Sequence, residues 1–407
     1  MTNRASQKKD RRRTAVPRSI WALGFVSLLM DVSSEMIHSL LPVFMVSVLG
    51  LGAAAVGLVE GIADATTYIT KLLSGRVSDR LRRRKPLAVF GYALAAATKP
   101  VFALAPSLGW LVAARFLDRL GKGIRGSPRD ALIADVAPRE VRGASFGLRQ
   151  SLDSVGAVLG PLAALAIMAA SSDDFRLVFW IAAVPGLLAV LLLAGAVREP
   201  EAKAQAAEET PTVLPGPEAK RLGRAFWTVT ALGILFSLAR FSEAFVLLRA
   251  QDLGLRPALV PLILVVLSAA YAVTAYPIGR LSDAIGRGGL LTGGFGALIA
   301  AHLLLGFADS LAAVYVGAAL WGVHLGMTQG IFAALVADTA PRTLRGTAFG
   351  MFNMTSGLSL LVASVGAGIL WDMIGPDIPF LAGAGLAFLA LIGLITRAAA
   401  GRRRQVN

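Results

Sequence analysis

Asp31, Glu35 and His38 lie four and three residues apart inside one long apolar stretch. At about 100° per residue they fall within an arc of about 60°, so a helix carries all three on one face. A second stretch carries Arg115, Asp118, Arg119, Lys122, Arg125 and Arg129, mostly on one face. Further ionisable residues interrupt other apolar stretches: Asp64, Lys71, Lys99, Arg149, Asp153, Arg240, Glu243, His302 and His324. A carboxylate in a low-dielectric cavity can take up and release a proton, and a nearby guanidinium opposes that uptake. Such a set lets a proton and a solute compete for the same charges. The other reading is a static buried network that holds helices in register. His38 with Asp31 and Glu35 has the donor chemistry of a divalent transition-metal site. A hydrogen-bonded helix histidine is the more ordinary reading, and no metal site is expected. Lys122 through Arg129 are expected at the mouth of their helix, where charge is cheap. Trp321, Tyr271 and Tyr276 suit stacking on an aromatic solute or plain packing equally.

The chemistry that is missing narrows the field. The chain has no cysteine, which removes disulfides, thiolate metal sites and cysteine nucleophiles. No G-x-x-x-x-G-K-[ST] loop is present, so ATP-driven work by this chain alone is not expected, and neither is a cofactor.

The elements that position these residues follow from composition. Of 407 residues, 56% are hydrophobic and only 16% charged, too few charges to coat two soluble domains and too apolar for disorder. Forty-three glycines suit helices packed in lipid. A membrane helix needs roughly 20 mostly apolar residues. Twelve stretches qualify: 20–44, 53–74, 86–106, 109–130, 143–169, 175–197, 225–249, 257–279, 289–308, 311–336, 345–370 and 378–397. The expected organisation is a basic tail at 1–19, a six-helix bundle at 20–197, a polar, proline-rich linker at 198–224, a second six-helix bundle at 225–397 and a tail at 398–407. The fold class is thus an all-α integral membrane protein with twelve transmembrane helices in two six-helix bundles.

Charge placement gives the orientation. Arg80, Arg82, Arg83, Arg84 and Lys85 crowd one loop, Arg139 and Arg142 another, and Arg402, Arg403 and Arg404 the C-terminal end. Loops 45–52 and 106–109 contain no lysine or arginine, and 370–379 adds only Asp372 and Asp377. The positive-inside rule then places both termini in the cytoplasm of a cell (inner) membrane protein. The net charge of +15 reads as topology rather than as a nucleic-acid surface, because it recurs in every second loop. The basic start is followed by an apolar segment longer than a signal h-region and carrying Asp31 and Glu35, so a cleaved signal is not expected.

The chain also repeats itself. ALIADVAPREVRGASFG from Ala131 and ALVADTAPRTLRGTAFG from Ala334 agree at eleven of seventeen positions, including Asp135 with Asp338 and Arg142 with Arg345. Gly75-Arg76-Val77-Ser78-Asp79 recurs as Gly279-Arg280-Leu281-Ser282-Asp283. Both offsets are about half the chain, the plan of two pseudo-twofold-related parallel halves around a central site.

These motifs resemble those of the major facilitator superfamily, over essentially the whole chain. GRVSDRLRRRK at 75–85 is similar to that family's G-x-x-x-D-R/K-x-G-x-R/K-R/K loop, with Arg82 where glycine is usual. The second copy keeps Gly279, Asp283, Gly286 and Arg287. The resemblance implies two bundles that rock about a midplane site, with a cytoplasmic latch at Gly75, Asp79 and Arg80 and its counterparts Asp135, Arg142, Gly279, Asp283, Arg287, Asp338 and Arg345. It further implies that the first span of each triplet lines the cavity. Asp31, Glu35, His38, Arg115, Asp118, Arg119, Arg240 and Glu243 then become the cavity candidates. Gly156, Gly160 and Pro161 resemble the G-x-x-x-G-P segment of the family's antiporters. Asp118 and Arg119 depart from the family's R-x-x-Q-G pattern counted from Arg115. The expectation is a drug/proton-antiporter-like efflux carrier, monomeric, with a small-molecule substrate, protons and the bilayer as partners and no nucleic acid. A proton symporter importing an anionic solute or metal chelate is the alternative. A membrane enzyme or receptor fits poorly, since a static protein has no use for doubled gating loops.

Overall fold

The computed structural model describes residues 16–81, 84–138, 141–197, 222–285, 287–341 and 344–406. Among them are fourteen α-helices: α1 (Arg18–His38), α2 (Leu41–Ser47), α3 (Ala53–Leu81), α4 (Arg84–Leu104), α5 (Leu108–Val136), α6 (Arg142–Ala170), α7 (Phe175–Ala196), α8 (Arg224–Ala239), α9 (Ala244–Asp252), α10 (Pro261–Ile285), α11 (Arg287–Gly306), α12 (Leu311–Thr339), α13 (Arg345–Met373) and α14 (Ile378–Val406). They make twelve spans, because α1 with α2 and α8 with α9 are each one broken span. Ten spans are long and apolar enough by composition to cross a membrane. The other two, α3 and α5, are those loaded with ionisable residues. Large apolar side chains such as Phe90, Leu187, Leu191 and Val273 point outward, as lipid requires in place of water.

The two breaks occupy matching places in the two halves, and their causes differ. Span one breaks at Ser39–Leu40, just before Pro42, which has no amide to donate into the preceding turn. Span seven opens over Arg240–Glu243 without a proline. Its stranded backbone groups are taken up by tertiary partners: the Ala239 carbonyl by His302 Nε2 at 2.9 Å, and the Ser242 amide by Ser364 Oγ at 3.1 Å. Arg240 and Glu243, expected inside a continuous helix, therefore sit in irregular backbone. A second difference is at the C-terminal end: α14 continues to Val406 through most of the stretch expected as a tail.

Within the first bundle α1 packs on α6 and α7, α4 on α5 and α7, and α3 on α5. Within the second, α10 and α11 pack on α12, and α8 on α13 and α14. The bundles meet chiefly through α3 with α13 and α6 with α10, and through the short segments α2 and α9.

Core packing is not symmetric along the membrane normal. At the end remote from the chain termini, residues of both bundles merge into one buried cluster that includes Phe44, Phe102, Phe179, Phe245 and Trp321. At the end bearing the termini each bundle keeps its own cluster, around Tyr92 and Leu132 in the first and around Phe226 and Phe332 in the second. The molecule is closed at the far end and parted at the near end.

Closure at the far end is specific. Asp372, near the end of α13, accepts from the amides of Ala53 and Ala54 at 2.8 and 2.9 Å and so caps α3 of the other bundle. These amides start a helix and have no partner within it. Gly368 lets the helices come this close, since a Cβ there would stand 2.5 Å from the Ala53 carbonyl oxygen. Gln251 donates to Ser47 nearby. Asp372→Ala should cost about 1 kcal/mol of this closure, as loss of a helix cap does. Spin labels on Val48→Cys and Ser310→Cys, in a chain with no native cysteine, should then gain a longer-distance population. An unchanged distance distribution would mean that Asp372 does not hold the far end shut.

Candidate functional site

Between the bundles lie two adjoining cavities of about 350 and 280 Å³. Lys122, Ala157, Ser268 and Tyr271 border both. The larger lies deeper, toward the closed end, with Glu35, His38, Glu60, Asp64, Tyr68, Arg119, Arg240 and Glu243 on its wall. The smaller lies nearer the termini and takes in Asp31, Lys71, Arg125, Arg129 and Asp153.

Helix α1 enters with the three residues its periodicity places together, but they divide between the cavities. Asp31 faces the smaller, with Arg125 Nη2 at 3.9 Å. Glu35 and His38 face the larger. His38 Nδ1 lies 3.1 Å from Glu35 Oε2, and its Nε2 lies 3.6 Å from Glu60 Oε2. The same Glu60 oxygen accepts from Arg115 Nη2 at 2.6 Å. An unbroken row of charged and imidazole groups thus runs Glu35, His38, Glu60, Arg115, across three helices.

Arg115 and Asp118 do not line the cavity as expected. Both are buried within the first bundle. Arg115 reaches α3 through Glu60. Asp118 turns toward α4, where Lys99 Nζ donates to it at 2.7 Å and also to Ser34 Oγ at 3.2 Å. Buried, paired and off the cavity wall, Lys99 and Asp118 fasten α4, α5 and α1 together. Arg119, one residue on, does reach the cavity. Lys122 and Arg125, expected at a helix mouth, line the cavities instead, and Arg125 stacks over the Tyr92 ring at 4.7 Å.

Sequence reasoning passed over Glu60 and gave Asp64 and Tyr68 no role. The three stand at i, i+4 and i+8 on α3, a stripe that the 3.6-residue period makes visible. Of the aromatic candidates, Trp321 is fully buried in the far-end core, Tyr271 borders both cavities, and the Tyr276 side chain lies outside the described residues. His302 and His324 are buried against backbone carbonyls of Ala239 and Gly294, away from the void. Among the latch candidates, the side chains of Gly75, Asp79, Arg80, Arg142, Gly279, Asp283, Arg287 and Arg345 also lie outside the described residues. Asp135 pairs with Arg84 Nε at 3.0 Å, and Asp338 is exposed near the end of α12.

Gly156 and Gly160 act on the site from behind. A Cβ on Gly156 would stand 2.9 Å from the Asp31 Cβ, and one on Gly160 would stand 2.7 Å from the Glu35 Cβ. The two glycines bring α6 flush against the helix that carries both carboxylates, the close approach small residues allow in membranes. Pro161 follows within the same helix. Gly160→Ala should push α1 inward and destabilise by about 1–3 kcal/mol, the usual cost of overpacking. Gly195→Ala, which would meet nothing within 4 Å, should not. Thermal unfolding in detergent compares the two, and equal midpoints would remove Gly160 from this role.

Residues 23–249 and 230–407 match the profile described as Major Facilitator Superfamily. An uncharacterized MFS-type transporter of Methanocaldococcus jannaschii is 34% identical over 397 residues, spanning 94% of this chain and 96% of that protein. The multidrug resistance protein MdtH of Salmonella typhi is 26% identical over 383 residues, spanning 92% and 91%. Among solved structures, the nucleoside transporter NupG superposes with a TM-score of 0.79 at 15% identity, covering 93% of this chain and 99% of that one.

Proposed function

The chain belongs to the major facilitator superfamily, and from this we propose that it is a proton-coupled antiporter exporting a small organic solute. It is a multi-pass membrane protein and a secondary transporter that works by alternating access, not an enzyme. The observation that carries the finer reading is a pair of adjoining inter-bundle cavities walled by carboxylates of both halves, Asp31, Glu35, Glu60, Asp64 and Glu243. A carboxylate beside such a void can hold either a proton or a cationic group of a solute, and that exclusivity is what exchange requires.

The basic residues Arg84 and Lys85, at the start of α4, lie at the parted end, which supports assigning that end to the cytoplasm of the inner membrane. In this state the cavity opens inward, ready to load a cytoplasmic solute. The multidrug resistance relative supports outward movement. So does the antiporter-like segment Gly156–Pro161, set directly behind Asp31 and Glu35.

Proteoliposomes given an acidic interior and incubated with mixed amino acids, amines and organic acids provide the test. Mass spectrometry should find a solute that accumulates inside, and only while the gradient lasts. Accumulation driven instead by an acidic exterior would overturn antiport. It would favour a second reading, symport of an anionic solute, which Arg119, Lys122 and Arg240 on the cavity wall recommend.

A further inference from the structure

Five charged side chains on the wall of the deeper cavity stand apart from one another. Arg119, Lys122 and Arg240 are basic, and Asp64 and Glu243 acidic. Among the described residues, Arg119 comes no nearer to a carboxylate than 3.9 Å, and that one, Asp118, is already held by Lys99 at 2.7 Å. The Arg119 side chain is 7% exposed, and its Nε has no hydrogen-bond partner. Among the described residues the other four have no opposite charge within the 4.0 Å at which pairs form, and Arg240 has the face of the Phe236 ring, 5.8 Å away. Packing here does not forbid pairing, because Glu60 and Arg115 close to 2.6 Å just behind the wall. The five instead line the void.

Unpaired charge in a half-dry cavity is unfavourable, and the two signs have different remedies. A guanidinium does not shed its proton, so Arg119 and Arg240 need an anion. Asp64 and Glu243 can take either a proton or a cationic group. A simple anion would satisfy the arginines and leave both carboxylates bare unless each took up a proton. A simple amine would do the reverse. A solute carrying both groups satisfies all of them, and it would touch both bundles, since Arg119 and Asp64 belong to the first and Arg240 and Glu243 to the second. A volume of about 350 Å³ suits a ligand of amino-acid to small-drug size.

We infer that the deeper cavity binds an amphoteric organic solute, its anionic group between Arg119 and Arg240 and its ammonium at Asp64 and Glu243. This rests on the antiport reading and explains it: a proton and the ammonium contend for the same two carboxylates. Asp64 is faced by Glu60 from its own helix, by Arg115 and Arg119 from α5, and by Arg240. Glu243 is faced by Glu35 and His38 from α1, by Asp64, and by Arg240. The solute's two poles therefore enter a field of mixed sign, not a purely basic or acidic one.

Equilibrium binding to the full chain in lipid nanodiscs, with no gradient, tests the inference on triads that share an apolar body and differ in their charged groups. Suitable triads are leucine, isocaproate and isoamylamine; phenylalanine, hydrocinnamate and phenethylamine; and ε-aminocaproate, caproate and hexylamine. In at least one triad the zwitterion should bind about tenfold or more tightly than both singly charged members, the effect of one charge-assisted contact left unmade. Arg240→Gln should erase its advantage over the amine, and Glu243→Gln its advantage over the acid. The inference is overturned if no zwitterion binds, if a singly charged member binds as well in every triad, or if both variants weaken all members alike. Zwitterion binding without gradient-driven flux would sink the antiport reading alone. Gradient-driven flux of a singly charged solute, with no zwitterion bound, would sink this inference alone.

Discussion

Asp31→Asn should abolish gradient-driven accumulation in proteoliposomes while leaving passive solute exchange and thermal stability near those of the parent chain. Asp31 borders the smaller cavity, on the path between the parted end and the deeper cavity. Its closest cation, Arg125, is 3.9 Å away, too far for a tight pair. Lys122, Asp153 and Glu35 also act on it. Asparagine keeps the shape and the hydrogen-bonding capacity but cannot carry a proton. Folding should therefore be spared, because no close ion pair is broken. Coupled flux should fall on the order of a hundredfold, the scale on which losing a proton-carrying side chain slows a proton-transfer step. Exchange of labelled for unlabelled solute, which needs no net proton movement, should continue and lose its dependence on pH. A variant that still accumulates solute at the parent rate would shift the coupling role from Asp31 to the row Glu35, His38, Glu60.

The membrane explains why so much of the architecture could be read from sequence. Lipid forces long apolar helices and sorts lysine and arginine to one side, so spans and loops leave compositional marks that need no tertiary information. The doubled motif at Ala131 and Ala334 survives for the same reason, being confined to loops and helix ends. The broken spans were less legible. Pro42 signals the first break, but the second depends on His302 and Ser364, which are 63 and 122 residues from their partners. Local sequence carries no mark of such contacts.

The site was half legible for a related reason. Helical periodicity groups Asp31, Glu35 and His38 on a face, yet it cannot say what each face meets. Asp118 lies about 100° around α5 from Arg119, enough to turn it from the void toward Lys99. Arg115 shares the cavity-facing side but lies one turn deeper, where Glu60 intercepts it. Glu60 itself went unmarked because its meaning comes from α1 and α5 and not from its neighbours in the chain.

The pair formed by Glu60 and Arg115 should show the largest stability effect in the protein. Both residues are 1% exposed, and their contact of 2.6 Å joins α3 to α5. Glu60→Leu leaves Arg115 with only Asp118 at 4.0 Å, a partner Lys99 already holds. Arg115→Met strips Glu60 of its strongest neighbour and leaves it with His38 at 3.6 Å. Removing one member of a buried pair costs about 3–5 kcal/mol, because the other charge stays buried without its counterion. Each single variant should lower the thermal unfolding midpoint by many degrees. The double variant, Glu60→Leu with Arg115→Met, replaces the pair by apolar groups of similar bulk and should recover most of the loss. If the double variant proves as unstable as the singles, the pair does not hold these helices in register. If it folds, its transport separates two roles that the contact could serve. A stable double variant that still couples flux to the gradient would make the pair a fastening between α3 and α5. A stable variant without coupling would place Glu60 in the proton path, since it is the one member of the pair that also touches His38 and borders the void.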